Sequence, residues 1–182
     1  MAKKTENPFQ AWDDYSELAH KWRGIIINYA IDLEQVMELF IARHYVLGNP
    51  QEIYEQRIED FKRIFFWETS MGFGNKINIV KNLITLYQPK FFKVDHTKNF
   101  IQELDEIVKC RNAMAHWQLD FSQEYRWHGA ENNNIKVNKL KPGTTNIYSE
   151  DEIKRISELC RKYITILLHS NRYPFQDVFP EL

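Results

Sequence analysis

The sequence has little of several residue types, and each scarcity excludes a class of protein. Its 182 residues include two cysteines, Cys110 and Cys160, which are far apart and exclude a disulfide framework or a zinc ribbon. Glycine and proline occur six times each, so a long unstructured tract is not expected. The formal net charge is −1, so any nucleic-acid site must be a local patch.

Long apolar runs are also missing. Aliphatic stretches such as Ile25–Ile27 are far shorter than the roughly 20 apolar residues that cross a bilayer. The polar first residues lack the apolar core of a signal peptide, which predicts a cytoplasmic protein. The remaining composition, 43% hydrophobic and 27% charged, is that of a globular protein. We therefore expect a single domain over residues 1–182 with its own core.

The spacing of apolar residues predicts a mainly α fold, a helical bundle of about five helices. The first helix runs from about Trp12 to Val46, and apolar residues cover more than half of its circumference, which predicts a central or interface helix. The other four begin, in order, after Pro50, after the break at Ser70–Gly74, at a cap formed by Asp95 or Thr97, and at a capping box formed by Ser149 and Glu152.

Between the fourth and last helices the period changes to strict alternation. Residues from about 117 to 140 alternate apolar and polar on both sides of Asn132–Asn134, which predicts a β-hairpin with a polar turn. Pro142-Gly143 predicts a loop after the hairpin. The tail, about 171–182, contains two prolines and is expected to form an extended strap.

The segment that carries chemistry is Arg111-Asn112-Ala113-Met114-Ala115-His116. At about 100° per residue, Arg111 falls near the middle of the predicted inward face of the fourth helix. A buried guanidinium costs several kcal/mol unless it meets an anion. Asn112 and His116 are four residues apart and share an adjacent face. The three polar side chains are therefore expected to converge near the end of this helix.

These three residue types suit phosphodiester cleavage without a metal. An imidazole titrates near neutrality, so His116 is suited to take a proton from a ribose 2′-hydroxyl or to give one to the leaving oxygen. Arg111 is suited to clamp the phosphate and to stabilise the charge of the transition state. Asn112 is suited to bind a phosphate oxygen or to orient the imidazole.

At these residues the sequence resembles the HEPN superfamily, whose hallmark is an arginine followed by a polar residue and, a few positions later, a histidine. Here four residues separate Arg111 from His116. The long first helix, with acidic Glu34 among apolar residues, is also similar. The resemblance covers the helices to about His116. The hairpin and the last helix look like an extension found in uncharacterised bacterial and phage members of the superfamily.

The resemblance implies an α-helical domain and a homodimer in which two copies of the motif face each other. Many members are metal-independent endoribonucleases of toxin–antitoxin, abortive-infection and CRISPR systems, and others are non-catalytic binding or scaffold modules. The chain is thus expected to need neither a metal nor another cofactor. Its expected partners are a second copy, an RNA substrate and an antitoxin or other protein. Sequence alone leaves the ribonuclease and the binding module as alternatives.

Each candidate residue also has a purely structural interpretation. An arginine near a helix C-terminus stabilises the last carbonyls, and His116 is suited simply to end the helix. Glu34 either pairs with Arg111 or orients His116, as the resemblance suggests, or it lies at the helix edge and reaches solvent. Cys110 is interpreted as a half-buried thiol without a catalytic role. Tyr125–His128 mixes aromatic and basic residues and either stacks on bases or covers the core.

Overall fold

The structure, a computed structural model, describes residues 8–46, 51–88, 91–93, 97–120, 122, 134–138 and 145–170. Within these ranges the protein is mainly helical. The α-helices are α1 (Pro8–Val46), α2 (Gln51–Lys62), α3 (Phe73–Tyr87), α4 (Phe100–His116) and α5 (Glu150–Ser170). A π-helical turn, Arg63–Trp67, continues α2, and a 3-10 turn, Phe91–Lys93, precedes α4. Three strands, β1 (Gln118–Leu119), β2 (Asn134–Asn138) and β3 (Thr145–Ser149), lie between α4 and α5. The predicted fold class is confirmed.

The chain divides into two compact units. Unit 1 comprises Met1–Ala30 and Lys109–Glu158, and unit 2 comprises Ile31–Val108 and Leu159–Leu182. The prediction of one domain over residues 1–182 stays a prediction. In the described part of the chain, no helix is both long enough and apolar enough to cross a membrane.

Unit 1 contains the sheet. β1 pairs antiparallel with β2, with Leu119 opposite Val137, so the predicted hairpin pairing is confirmed. β3 adds to the other edge of β2, with Tyr148 opposite Ile135. The buried Tyr15 of α1 is hydrogen-bonded to the backbone of the middle strand. Its hydroxyl accepts a bond from the Lys136 N–H at 3.1 Å and donates to the Lys136 carbonyl at 3.4 Å. The sheet is thereby attached to α1.

Strand β3 is a correction to the sequence prediction. The loop expected after Pro142-Gly143 gives way at Thr145 to a strand that runs directly into α5. The sequence did not predict this strand because only Tyr148 of its five residues is buried, which leaves no recognisable alternation of apolar and polar residues. The capping box that follows is confirmed, because the Ser149 N–H donates to Glu152 Oε2 at 3.3 Å and the Glu152 N–H donates to Ser149 Oγ at 3.2 Å.

Unit 2 has an aromatic core. Phe100 meets Phe91 and Tyr163 edge to face, with ring centroids 5.0 and 4.9 Å away. The Tyr163 hydroxyl donates to Glu103 Oε2, and Lys162 Nζ donates to the same oxygen at 2.7 Å. Burial first, and then the negative charge of Glu103, raises the pKa of Tyr163. A buried tyrosine and a carboxylate thus share one bond that fixes α4 against α5 within this unit.

Two helix starts in unit 2 test the sequence prediction. The predicted break at Ser70–Gly74 is confirmed, since Ser70 has a φ of 52° and α3 begins at Phe73. Thr97 as the cap of α4 is wrong. Its hydroxyl donates to the Phe91 carbonyl, and α4 begins three residues later at Phe100. Asn134, predicted as part of the hairpin turn, is instead the first residue of β2, where it pairs with Ser149 of β3. The alternative cap Asp95, the turn residues 132–133, the segment Tyr125–His128 and the strap 171–182 lie outside the described residues.

A buried ion triad joins α1 to the start of α3 within unit 2. Lys76 Nζ lies 2.7 Å from Glu34 Oε1 and 2.6 Å from Glu38 Oε1, and 5.4 Å from the centre of the Phe66 ring. Burial alone lowers the pKa of the ammonium, but the bonds to the two carboxylates outweigh it and the net pKa of Lys76 is raised. Because two carboxylates face one ammonium, removing the ammonium leaves the buried carboxylate of Glu38 and the partly buried carboxylate of Glu34 without this counter-ion.

We therefore expect Lys76→Met to lower the free energy of unfolding by about 3–5 kcal/mol at pH 7, measured by urea denaturation. The matched control is Lys81→Met, an exposed lysine of the same helix, with an expected change within about 0.5 kcal/mol. Replacing Glu34 and Glu38 by glutamine in the Lys76→Met chain should recover part of the loss. A Lys76→Met protein as stable as the control would show that the triad contributes no net stability.

Candidate functional site

The last two turns of α4 carry the predicted site residues. Asn112 and His116 are exposed on one face of the helix, as their four-residue spacing predicts. Cys110, Ala113 and Met114, which also belong to unit 1, are buried on the other side of the helix. The helix ends at His116, and the Trp117 N–H closes its last turn by donating to the Ala113 carbonyl at 3.0 Å. His116 and Asn112 thus face solvent from a rigid element.

Arg111 is placed differently from the prediction. Its side chain is only half-buried, and its Nη1 donates to Asn112 Oδ1 at 3.0 Å. The expectation that it lies in the middle of the inward face is wrong because the buried face turns along α4. Leu104 and Ile107 define it in the early turns, whereas Cys110, Ala113 and Met114 define it at the end. Arg111 is left at the border, where a guanidinium keeps contact with water.

A second arginine, Arg23 of α1, lies at the same helix end and was missed from the sequence. Its Nη2 donates to the Trp117 carbonyl at 2.5 Å. Its Nε is buried, and among the described residues it has no hydrogen-bond acceptor. Burial lowers the pKa of Arg23, and the nearby Tyr15 acts in the opposite direction. Burial of the Arg23 guanidinium therefore has a desolvation cost, which its hydrogen bond to the Trp117 carbonyl offsets.

The sequence held a signal for Arg23. It lies four residues after Ala19 and three before Ile26, both fully buried. On a helix those positions are neighbours, so Arg23 stands at the edge of the buried stripe, as Arg111 does. A cation in that position predicts an acceptor nearby. The pattern alone did not reveal which acceptor, because the carbonyl that it meets is 94 positions away in the chain.

The chain that leaves α4 is fixed by a second charged pair. Asp120 Oδ2 lies 2.8 Å from Lys136 Nζ, and its Oδ1 accepts the Ser122 N–H at 2.8 Å. Burial raises the pKa of Asp120, but the bonds from Lys136 and Ser122 act more strongly and hold it well below the usual range. The backbone after His116 is thus held first by Arg23 and then, directly after β1, by the ion pair of Asp120 with Lys136 of β2.

Cys110 and Glu34 also differ from their sequence interpretations. Cys110 is buried beside Tyr148, and burial first, then Cys110, raises the pKa of Tyr148 to about 12. A thiol so enclosed has a packing role. Glu34 is bound to Lys76, a partner that the sequence interpretation did not consider. Its pairing with Arg111 or His116 stays a prediction, because these residues belong to different units.

The arrangement suits recognition of an anion. Two arginines and one histidine come from two elements of unit 1, and an exposed amide stands between Arg111 and His116 along the helix. The C-terminal carbonyls of a helix carry about half a negative charge, which would repel a phosphate. Arg23 offsets that charge at the Trp117 carbonyl. Within the described residues, no group of three or more histidine, cysteine or carboxylate side chains is placed to hold a metal ion.

The ion pair of Asp120 makes a pH-dependent prediction. Because the pKa of Asp120 is lower in the folded protein than in the unfolded chain, its stabilisation is present above about pH 4 and is lost as the pH falls further. Asp120→Asn should lower the free energy of unfolding by about 1 kcal/mol at pH 7. Urea titrations from pH 7 to pH 2.5 give the free energy of unfolding of the unaltered protein and of Asp120→Asn, and the difference between the two should shrink below about pH 4. A constant difference over this range would contradict the assignment.

Comparisons with known proteins give a short similarity. A stretch of 70 residues is 36% identical to a DegV domain-containing protein of Ureaplasma parvum, and the match covers 38% of this chain. The chain spans about a quarter of that relative, since the match covers 23% of its length. No family model matches the sequence, and no solved structure matches it.

Proposed function

We propose that this protein is a HEPN-like, metal-independent endoribonuclease that uses Arg111, Asn112 and His116. The observation that carries the proposal is the placement of these residues at the end of α4. His116 and Asn112 are exposed on one face, and the Arg111 guanidinium is held at 3.0 Å by Asn112. His116 follows Arg111 by about 1.4 turns, or about 7.5 Å along the helix axis, so a phosphodiester that binds Arg111 from solvent can extend to the imidazole.

The reaction is a transesterification. His116 takes the proton of a ribose 2′-hydroxyl, the 2′-oxygen forms a bond to phosphorus, and the bond from phosphorus to the 5′-oxygen breaks. The leaving 5′-oxygen takes a proton from water or from a second imidazole. Arg111 stabilises the negative charge that builds on the phosphate oxygens in the transition state. The products are a 2′,3′-cyclic phosphate and a 5′-hydroxyl.

The biological setting that we propose is a toxin or a phage-defence system in the cytoplasm, with RNA as the substrate and an antitoxin or another protein as the partner. We propose Glu34 as a supporting residue that acts by fixing the position of α1 and does not contact the RNA. Its ion pair with Lys76 within unit 2 supports a role in fixing α1.

A non-catalytic binding module is the second candidate, and exposed aromatic and aliphatic side chains of unit 2 favour it. Tyr45, Trp67, Leu86 and Tyr87 are each more than half exposed. Tyr45 also stacks on Phe61, with ring centroids 5.7 Å apart. Exposed aromatic residues of this size are typical of protein contacts. The two candidates differ in one measurement, which is cleavage of RNA.

We expect the purified protein to cleave single-stranded RNA in EDTA, to leave DNA intact, and to give 2′,3′-cyclic phosphate ends. His116→Ala should lower the rate about 10²–10⁴-fold, because it removes the general acid or base. Arg111→Ala should abolish cleavage by removing the phosphate clamp. Rates are measured on end-labelled RNA, and the end groups are identified by mass spectrometry. Thermal unfolding of each variant shows that the loss is not a loss of fold.

The matched control is His20→Ala, an exposed histidine of α1 in the same unit, which should cleave like the unaltered protein. Cleavage that persists in His116→Ala would identify a contaminating nuclease. A folded, pure protein that cleaves none of a broad set of RNAs would favour the binding module.

We further propose that the active form is a homodimer. Apolar side chains of unit 2 such as Ile31 and Leu168 are each 42% exposed, which favours a contact that one chain does not provide. Sedimentation velocity at high micromolar concentration should show a dimer. Ile31→Glu should shift it to a monomer without unfolding it, whereas Gln35→Glu, an exposed polar neighbour one turn away, should not. A monomer at all concentrations would contradict this proposal.

A further inference from the structure

The end of α4 is held by a residue outside the motif. Arg23 lies on α1, and its Nη2 donates at 2.5 Å to the carbonyl of Trp117, the residue directly after His116. The same residue uses its N–H to close the last turn of α4. The backbone at His116 is thus fixed from the helix side by its own hydrogen bond and from outside by Arg23.

The contact of Arg23 with the Trp117 carbonyl has a desolvation cost that is not needed to stabilise the end of α4. The Nε of Arg23 is buried without an acceptor among the described residues, and burial lowers the pKa of the guanidinium. A helix end that faces solvent satisfies its carbonyls with water at no such cost. A cation held here at that cost has a use if a negative group binds nearby, at Arg111 and His116.

We propose that Arg23 is a positioning residue for His116, an inference that rests on the proposed ribonuclease function. Its bond to the Trp117 carbonyl fixes the α4–β1 junction, and with it the imidazole, relative to α1. Its charge offsets the negative end of the α4 dipole, so that a phosphodiester can approach Arg111 and His116. Arg23 acts through the backbone and does not itself contact the substrate.

This role predicts a particular kinetic effect. Misplacement of an acid or base by about 1 Å costs roughly 10²-fold in rate, and it affects the chemical step rather than ground-state binding. A phosphate-binding arginine would instead raise KM, and a purely structural arginine would lower the melting temperature without changing the activity of the folded molecules.

The test uses Arg23→Met, which keeps the aliphatic stem and removes the charge and the bond. The control is Lys21→Met, an exposed lysine two residues earlier on α1. In single-turnover cleavage we expect Arg23→Met to lower the rate constant about 10²-fold with KM within about threefold, and Lys21→Met to change neither. In nitrogen-15 spectra of the histidine rings, the His116 signals should shift in Arg23→Met and stay in place in Lys21→Met.

A raised KM with an unchanged rate constant would overturn the proposal in favour of substrate binding. An unchanged rate constant per folded molecule, or unmoved His116 signals, would leave Arg23 a structural residue. If the unaltered protein does not cleave RNA, the proposed function fails, and the ring signals alone decide whether Arg23 holds His116. If Arg23→Met does not fold, Arg23→Lys, which lacks the planar fork, is judged by the same criteria.

Discussion

A guanidinium that is removed from water needs a hydrogen-bond acceptor, and in unit 1 this requirement connects α1 to the segment that follows the Arg111–His116 motif. Arg23 donates to the Trp117 carbonyl, at the point where α4 ends and the chain turns into β1. Eight residues earlier on the same helix, or about 12 Å away, Tyr15 binds the backbone of Lys136 in the middle strand. The sheet is thus attached to α1 at two levels. The first residue after His116 is therefore fixed by α1 and by the sheet together.

The features that sequence predicted correctly are those set by neighbours along the chain. Helix α1 and the capping box of Ser149 and Glu152 follow from spacing over a few residues, because an amphipathic stripe and a reciprocal cap are local arrangements. Pairing of β1 with β2 was also accessible from alternation. Strand β3 was not, since only one of its five side chains is buried and it pairs with the edge of β2.

What the sequence did not reveal concerns charged side chains and has one cause. Angular position on an ideal helix put Arg111 inward, but what buries a position is the element packed against it, and that face turns along α4. For Glu34 the sequence left open a pairing with Arg111 or His116 and exposure to solvent; within unit 2 Glu34 binds Lys76, which the sequence offered only as part of a helix start. Arg23 meets a backbone carbonyl, and a carbonyl carries no residue-specific signal. The polar partners of residues that are distant in sequence can therefore be identified only once the fold is known.

The geometry of the site bears on the number of copies that a reaction would need. Cleavage by transesterification removes one proton and delivers another, and a single His116 accounts for one of these transfers at a time. The described part of unit 1 brings two guanidinium groups and one amide to the end of α4, and Asp120 and Lys136, which follow the motif, are bound to each other. In the proposed cleavage the second proton would come from water or from an imidazole of another copy. Because His116 is exposed rather than enclosed, either source could reach a phosphate bound beside it. A second copy is thus one of two sources of that proton, and this argument for a dimer is independent of the apolar side chains of unit 2.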